Sequence, residues 1–189
     1  DDARLIGSGQ GPSTVSTDIC DGMHAALADL ERHIGTLPAF SHRLASSSAA
    51  GGLRMVTVGL VRELTAEAAR RAALGAGARL VGTFAYRLTA ADIAEIEALA
   101  PDILLLAGGT DGGNEVVIRQ NADKLADSRL ACPIVVAGNR AATDDVAARL
   151  NGSGKPVVKA ANVMPEFNVL DVEPARDAIR RVFIDRIVH

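Results

Sequence analysis

The sequence has little that would bind nucleic acid or enter a membrane. Of its 189 residues only 3% are aromatic, tryptophan is absent, and the formal net charge is −3. Binding to nucleic acid depends on neutralising phosphates, so a negative chain without a basic stripe is not expected to do it. No apolar run approaches the roughly 20 residues that a membrane-spanning helix needs, and no basic start followed by an apolar centre indicates a signal peptide. We expect a cytoplasmic protein.

Cysteine and histidine are too few and too widely spaced to indicate a metal site. The two cysteines, Cys20 and Cys132, are far apart in the chain. The four histidines never show the spacing that places two of them on one face of a helix beside an acid. We therefore predict no metal site and no disulfide framework, and we interpret both thiols as free.

Small aliphatic residues must build the core, and from residue 53 onward they recur in a regular rhythm. Hydrophobic residues make up 48% of the chain, enough for a sizeable core. Short apolar runs bounded by Gly, Pro or polar residues are typical of buried strands, and there are five: 55–61, 80–85, 103–107, 133–137 and 156–160. Residues that can cap a helix predict helix starts between them at Thr65, Thr89, Asn114 and Thr143.

The alternation of strand and helix predicts an α/β fold. Each helix would act as a right-handed crossover between parallel strands, and helices would cover both faces of the sheet. We expect a doubly wound, mainly parallel, five-stranded Rossmann-like layer over residues 53–165. This layer would be a domain inserted into another one.

The segments on either side of the layer, residues 1–52 and 166–189, are expected to belong together. In the first, apolar residues at helical spacing predict a helix that ends near Gly35. The second should hold a final helix from about Val172. The chain begins without Met and stops within an apolar, helix-like stretch, so we expect it to be part of a longer protein.

A glycine-rich stretch, GGTDGGN, follows the third predicted strand. Glycine permits tight turns that expose backbone N–H groups, and ligands bind at the carboxyl ends of strands in open α/β sheets. Parallel strands would bring the ends of the fourth and fifth strands to the same edge. The candidate ligand-binding residues are therefore Gly108, Gly109, Thr110, Asp111, Gly112, Gly113, Asn114, Gly138, Asn139 and Asn162.

Three roles stay open for this stretch. Exposed N–H groups and a helix start at Asn114 favour an anion, whereas the carboxylate of Asp111 repels phosphate unless a cation intervenes. A tight turn without a ligand, or a contact with a partner protein, would use the same residues. The spacing differs from the G-x-G-x-x-G dinucleotide fingerprint, and no G-x-x-x-x-G-K-[ST] loop is present. No catalytic residue can be assigned.

Six segments, in this order, resemble one known family. It is the MutL family associated with glutamate mutase, which accompanies coenzyme-B12-dependent carbon-skeleton mutases and aminomutases and is unrelated to the mismatch-repair protein of the same name. The resemblance covers nearly the whole chain. The segments are ASSSAAGGL (45–53), AALGAGA (72–78), LLLAGGTDGGN (104–114), AGN (137–139), NVMP (162–165) and VEPAR (172–176).

The resemblance implies an actin/Hsp70/sugar-kinase-like ATPase architecture and a role in maintaining or reactivating the mutase. Mg-ATP would be the cofactor of the full-length protein, and the B12-dependent mutase its partner. The family's D-x-G-S-T-T-T phosphate loop and its second glycine-rich phosphate motif are both absent from these 189 residues. We therefore expect no cofactor in this chain and leave its enzymatic activity open. The alternative is a stand-alone Rossmann- or flavodoxin-like module that binds a nucleotide or another small ligand.

Overall fold

The computed structural model describes residues 5–12, 14, 19–37, 39, 53–73, 76 and 78–188. The chain divides into two compact units. The larger one is Ala50–Phe183, and the smaller one combines Asp1–Ala49 with Ile184–His189.

In the smaller unit, residues 5–12 lie along the helix α1 (Ile19–Ile34). A Cβ at Gly9 would collide with the carbonyl oxygen of Ala26, so only glycine permits this close approach. The apolar start of the sequence predicts an edge strand over residues 4–16, but the described residues of this range, 5–12 and 14, contain no strand. The helix ends where the sequence indicated, before Gly35, whose φ of +82° is typical of the residue after a helix.

The larger unit is built on a sheet of five parallel strands, in the order β2-β1-β3-β4-β5. All five predicted strands are present, each displaced by no more than two residues at either end. The α/β class and the parallel sheet are therefore confirmed. The strands are β1 (Leu53–Gly59), β2 (Ala78–Ala85), β3 (Ile103–Leu106), β4 (Ile134–Val136) and β5 (Val157–Lys159).

Helices follow each strand and cover both faces of the sheet. One face packs against α2 and α6, and the other packs against α3, α4 and α5. Their bounds are α2 (Arg62–Ala73), α3 (Ala90–Ala98), α4 (Val116–Ala126), α5 (Arg140–Gly152) and α6 (Glu173–Val188).

Burial on both faces explains why β3 is apolar at every position. Ile103 and Leu105 contribute to the core on the α2 and α6 face, whereas Leu104 and Leu106 contribute to the core on the opposite face. All four side chains are almost completely buried. Burying each one stabilises the fold by roughly 1.5–3 kcal/mol relative to an exposed position. The buried central strand β3 therefore fixes the point at which the chain enters the glycine-rich loop.

Two of the predicted helix starts contain a real capping interaction. Thr89 caps α3, and its side chain and backbone exchange hydrogen bonds with Asp92 in a capping box. The helix after the glycine-rich loop begins at Val116, two residues later than expected. Even so, Oδ1 of Asn114 accepts a hydrogen bond from the backbone N–H of Val117 at 3.1 Å.

The other two predicted helix starts are wrong. Thr65 lies buried within α2, which begins at Arg62. Thr143 lies within α5, and its hydroxyl donates to the carbonyl of Asn139. That asparagine is the true cap of α5, since its Oδ1 accepts from the N–H of Ala141 at 3.0 Å. Both helices begin closer to the preceding strand than the sequence indicated, which brings their first turns to the edge of the sheet.

Helix α6 packs on the sheet through most of its length. Ala175 and Ile179 are fully buried in the same core as β1 and β3. The compact unit that contains the sheet therefore extends to Phe183. The predicted insertion of this layer into a second domain stays a prediction.

Candidate functional site

The strand order creates a crevice at the carboxyl edge of the sheet. Strands β1 and β3 are neighbours, but the helices that follow them, α2 and α4, pack on opposite faces. The loops that leave these two strands therefore diverge. In open α/β sheets ligands bind where this reversal occurs, outside the carboxyl ends of the strands.

A cavity of about 210 Å³ lies at this reversal. Its walls come from the start of α2, the glycine-rich loop and the segment after β5. Apolar side chains dominate, and no charged side chain of the described residues lines it. The lining residues are Leu60, Val61, Leu64, Thr65, Ala68, Ala107, Gly108, Gly109, Thr110, Asn114, Asn162, Val163, Met164 and Phe167.

The glycine-rich loop has a backbone conformation that requires glycine at specific positions. Gly108, Gly109 and Gly112 have φ values of +136°, +73° and +74°, which side-chain-bearing residues rarely adopt. A Cβ at Gly109 would also collide with the carbonyl oxygen of Asn114. The N–H groups of Gly109 and Thr110 donate to no acceptor in the described part of the chain. They therefore remain available as donors at the cavity wall.

Asp111 holds the loop to its neighbours. Its Oδ1 accepts from the backbone N–H of Arg140 at 3.0 Å and from Nδ2 of Asn162 at 2.9 Å. Its own N–H donates to the carbonyl oxygen of Pro165 at 2.9 Å. These bonds join the loop after β3 to the loops after β4 and β5. The Asp111 carboxylate, whose charge would repel a phosphate, is thus occupied by hydrogen bonds within the protein.

Two asparagines complete the connection. Asn139, fully buried, donates from Nδ2 to the carbonyl oxygen of Gly113 at 3.2 Å and from its N–H to that of Gly108 at 3.0 Å. Asn162, 4% exposed, donates from Nδ2 to the carbonyl oxygen of Gly109 at 3.0 Å. Its Oδ1 accepts from the N–H of Met164 at 3.1 Å. An amide supplies both a donor and an acceptor, which is why asparagine suits these positions.

The structure therefore brings all ten sequence-predicted site residues to one edge of the sheet, in two roles. Five of them line the cavity: Gly108, Gly109, Thr110, Asn114 and Asn162. The other five shape the loop or join it to the next strands: Asp111, Gly112, Gly113, Gly138 and Asn139. Their binding of a ligand stays a prediction.

Sequence reasoning missed the apolar walls of the cavity. Leu60, Val61 and Leu64 come from the junction of β1 and α2, and their hydrophobicity looked like ordinary core. The signal that could have identified them is the strand order, because only the adjacency of β1 and β3 places this junction beside the glycine-rich loop.

Phe167 was missed as well, and it stands at the mouth of the cavity with 74% of its surface exposed. It belongs to a tight turn in which the N–H of Val169 donates to the carbonyl oxygen of Glu166 at 3.0 Å. Asn168 supplies the positive φ of +63° that this turn needs. The turn holds the phenyl ring in solvent instead of the core.

A second strained turn lies at the end of β2. Tyr86 has a φ of +67°, a conformation costly for a residue with a side chain, and is 58% exposed. The buried side chain of Asn121 holds this turn, donating to the carbonyl oxygen of Tyr86 and accepting from the N–H of Leu88, both at 2.9 Å. Strain of this kind persists only where surrounding bonds enforce it, and it is typical of functional surfaces.

The groups at this edge suit binding, since its cavity is apolar with backbone and amide groups at the wall. Within the described ranges, no group of three or more His, Cys, Asp or Glu side chains could hold a metal ion. No helix in the same ranges is both long and apolar enough to cross a bilayer. An apolar cavity with a few polar groups at its wall suits a hydrophobic group whose orientation is set by hydrogen bonds.

The fold and this edge define a class: a doubly wound α/β domain with the flavodoxin-like strand order 2-1-3-4-5 and a binding crevice at the reversal point. The family model of the MutL protein matches residues 1–189. The chain is also 45% identical over 185 residues to Protein MutL of Clostridium tetanomorphum, covering 97% of this chain and 40% of that protein. The chain belongs to the MutL family, and it spans less than half of this curated relative.

Solved structures share the general layout only. A short-chain flavodoxin associated with a non-canonical PDU bacterial microcompartment is 14% identical, with a TM-score of 0.46 over 71% of this chain and 97% of its own. The methanol:cobalamin methyltransferase complex MtaBC of Methanosarcina barkeri is also 14% identical, with a TM-score of 0.46 over 90% of this chain and 55% of the other. At these values neither likeness extends beyond the topology already described.

Proposed function

We propose that this chain is part of an accessory protein that maintains or reactivates a coenzyme-B12-dependent glutamate mutase or aminomutase. The observation that carries the proposal is membership of the MutL family along the whole chain, including 45% identity to a curated member. The resemblance that links this family to B12-dependent mutases supplies the role. The mutase would be its partner in the cytoplasm.

In this proposal the ATPase machinery lies in the rest of the protein. The chain spans 40% of its curated relative, and neither phosphate motif of the family occurs in it. Residues 1–52 and 166–189 would form part of an actin-like ATPase domain, into which residues 53–165 are inserted. Mg-ATP would then bind to the full-length protein, and the sheet described here would contact the partner.

The apolar character of the carboxyl edge supports a binding role for this sheet. No carboxyl, histidine or cysteine of the described residues lines the cavity, and in this proposal the mutase performs the carbon-skeleton rearrangement. The accessory role would then use the energy of ATP to change the state of a bound mutase.

A reactivation assay tests the proposal. Purified mutase is inactivated during turnover and then incubated with the natural full-length protein, Mg-ATP and fresh adenosylcobalamin. We expect mutase activity to return only when all three are present, and to stay low with a non-hydrolysable ATP analogue. Recovery that is equal with and without the protein would contradict the proposal.

The alternative, a stand-alone module for a nucleotide or another small ligand, has less support. The reversal point of the sheet favours it, since this is where flavodoxin-like folds bind cofactors. However, the cavity of about 210 Å³ is smaller than the roughly 300–1,000 Å³ typical of small-molecule sites. Calorimetric titration of the full-length protein with Mg-ADP and FMN, repeated after Ala68→Met to fill the cavity, separates the two functions. If the cavity is a stand-alone small-molecule site, Ala68→Met should abolish binding of Mg-ADP or FMN. If it is not, the variant should bind both as the parent does.

A further inference from the structure

A buried hydroxyl in the wall of the carboxyl-edge cavity has no hydrogen-bond partner. Thr65 is 8% exposed and lines the cavity, and its Oγ1 bonds to no residue that the structure describes. A second buried threonine, Thr57, shows the usual arrangement, since its hydroxyl donates to the carbonyl oxygen of Leu105 at 3.3 Å. Because an unpaired buried polar group is costly, the hydroxyl of Thr65 points to a partner from outside the chain.

This hydroxyl opens into the cavity and is not sealed in the core. Among the described residues, the side-chain polar atoms that are both fully enclosed and unpaired are Oε1 of Gln120 and Nε of Arg176, so Oγ1 of Thr65 keeps contact with the space beside it. Gly59, the last residue of β1, leaves room for this oxygen, because a Cβ there would collide with it. A ligand in the cavity can therefore reach the hydroxyl.

Further donors without acceptors lie in the same wall. The N–H groups of Gly109 and Thr110 and the hydroxyl of Thr110 donate to nothing in the described ranges. A Cβ at Gly108 would lie 3.3 Å from the backbone nitrogen of Leu60, so the glycine-rich loop and the start of α2 are neighbours. The first N–H groups of a helix have no acceptor within the helix. Donors from two segments thus lie around one space.

An excess of donors selects a ligand that supplies acceptors. A carboxylate offers about four acceptor sites, and a helix N-terminus such as that of α2 favours negative charge. No lining residue that the structure describes is charged. Arg62, Glu63 and Glu166, in the neighbouring segments, are exposed and lie outside the lining, so water and salt screen them. A phosphate dianion would therefore lack a counter-ion, whereas backbone and hydroxyl donors can hold a carboxylate.

The volume and the apolar walls define the rest of the ligand. At about 210 Å³ the cavity is below the roughly 300–1,000 Å³ of drug-sized ligands, so it suits a molecule much smaller than a nucleotide. The walls that Leu64, Ala68 and Met164 provide are complementary to an aliphatic chain. Carboxylate head and short apolar chain together describe one class of molecule.

We propose that the cavity binds a short-chain aliphatic carboxylic acid as its anion, with the carboxylate bonded to the hydroxyl of Thr65 and to the N–H groups of Gly109 and Thr110. The aliphatic chain lies against Leu64 and Met164. This site is separate from the ATP site expected in the full-length protein, and it does not depend on the mutase being the partner.

The first test varies the ligand. The natural full-length protein is titrated calorimetrically with propanoate, butanoate and pentanoate, and with pentanamide as the neutral counterpart. Each methylene that enters the cavity is worth about 0.8 kcal/mol, so the Kd should fall about fourfold per added carbon atom. Pentanamide should bind about 10-fold more weakly than pentanoate, because hydrogen bonds to a charged acceptor are stronger. Absence of pentanoate binding, or equal binding of the amide, would overturn the proposal.

The second test removes the unpaired hydroxyl. Thr65→Val keeps the branched shape and should raise the Kd for pentanoate about 10-fold. Its Tm should not fall, since no internal bond is lost. Thr57→Val is the matched control: it removes a hydroxyl that bonds to Leu105 outside the cavity, so the Tm should fall and the Kd should stay that of the parent. An unchanged Kd in Thr65→Val would refute the site.

These results are distinct from those of the mutase reactivation assay. If pentanoate does not bind but the mutase is reactivated, the inference is wrong and the proposed function stands. If pentanoate binds as expected and reactivation fails, the site stands and the proposed function is wrong. If Ala68→Met, which fills the cavity, binds pentanoate as the parent does, the carboxylate is bound elsewhere and the inference is wrong.

Discussion

The two edges of the sheet are built from the same strands and helices, yet they handle polar and apolar groups in opposite ways. At the amino edge, Arg129 forms two side-chain bonds and one backbone bond with Glu97. The buried Lys155 donates to the carbonyl oxygens of Ser128 and Leu130, both at 2.7 Å. At the carboxyl edge, apolar rings and arginines face solvent instead.

We call the amino edge closed, because its charged groups bond within the protein, and the carboxyl edge open, because it presents a cavity and exposed rings to solvent. Internal partners satisfy Arg129 and Lys155 at the amino edge, whereas the carboxyl edge keeps a cavity, two exposed rings and strained turns at Tyr86 and Asn168. A closed edge is expected to respond to substitution through stability, and an open edge through binding. The buried network beneath the open edge is the exception, since it must hold the loops in place.

The largest effect is expected for Asn162→Ala at that network. The substitution removes two donated bonds and one accepted bond from a buried position, and each is worth about 1 kcal/mol net. We expect the free energy of unfolding to fall by about 3 kcal/mol, measured by urea denaturation. Asn114→Ala, which removes one exposed bond, should cost about 1 kcal/mol or less. Equal costs for the two variants would contradict the network.

The second effect tests the closed edge. Lys155→Met keeps the aliphatic stem but removes both bonds from the ammonium group. Because relief of the buried charge offsets part of this loss, we expect a fall of about 2 kcal/mol in the free energy of unfolding. Binding to the mutase should not change. A weaker mutase complex would mean that the amino edge contacts the mutase.

The third effect runs in the opposite direction, towards higher stability. Tyr86→Asn places a residue that tolerates positive φ at the strained turn, so we expect a gain of about 0.5–1 kcal/mol. Tyr86→Ala keeps the strain and is the control without a gain. If the ring contacts the mutase, both variants should weaken that complex. A stabilised variant that binds the mutase with the parent's affinity would show that the Tyr86 ring does not contact it.

The smallest effect concerns pH at the closed edge. Hydrogen bonds from Arg129 lower the pKa of Glu97 below its ordinary value of 4.5. A carboxyl with a lowered pKa in the folded state contributes stability above its unfolded pKa, and this contribution is lost as the pH falls through the folded pKa. The Tm difference between neutral and acidic solution should therefore shrink in Glu97→Gln. An unchanged pH profile would show that this pair contributes nothing to stability.

Much of this architecture could be predicted from the sequence. Buried parallel strands need apolar residues on both faces, so their positions were visible as short runs such as Ile103–Leu106. The start of α3 at Thr89 was visible because a cap acts within one helical turn, here over the three residues to Asp92. The starts of α2 and α5 were missed, since there the helix begins directly after the strand and Asn139 caps through a local bond.

Of the candidate site, only the glycines and the polar residues could be predicted from the sequence. Gly108, Gly109 and Asn162 stood out because glycines and an asparagine directly after buried strands indicate turns at the edge where open α/β sheets bind ligands. Leu60, Val61 and Phe167 did not, because a hydrophobic residue in the wall of a cavity looks the same in sequence as one in the core.

By itself, the sequence determined the α/β class, the parallel strands, the MutL family and the glycine-rich turn, because periodicity, residue type and local capping act over a few neighbouring residues. Only the tertiary structure decided the order of the strands, the cavity between β1 and β3 and the exposure of Tyr86 and Phe167. These features depend on which distant segments become neighbours. That choice is made by packing across the whole sheet, where Asp111 and Asn162 join loops 51 residues apart.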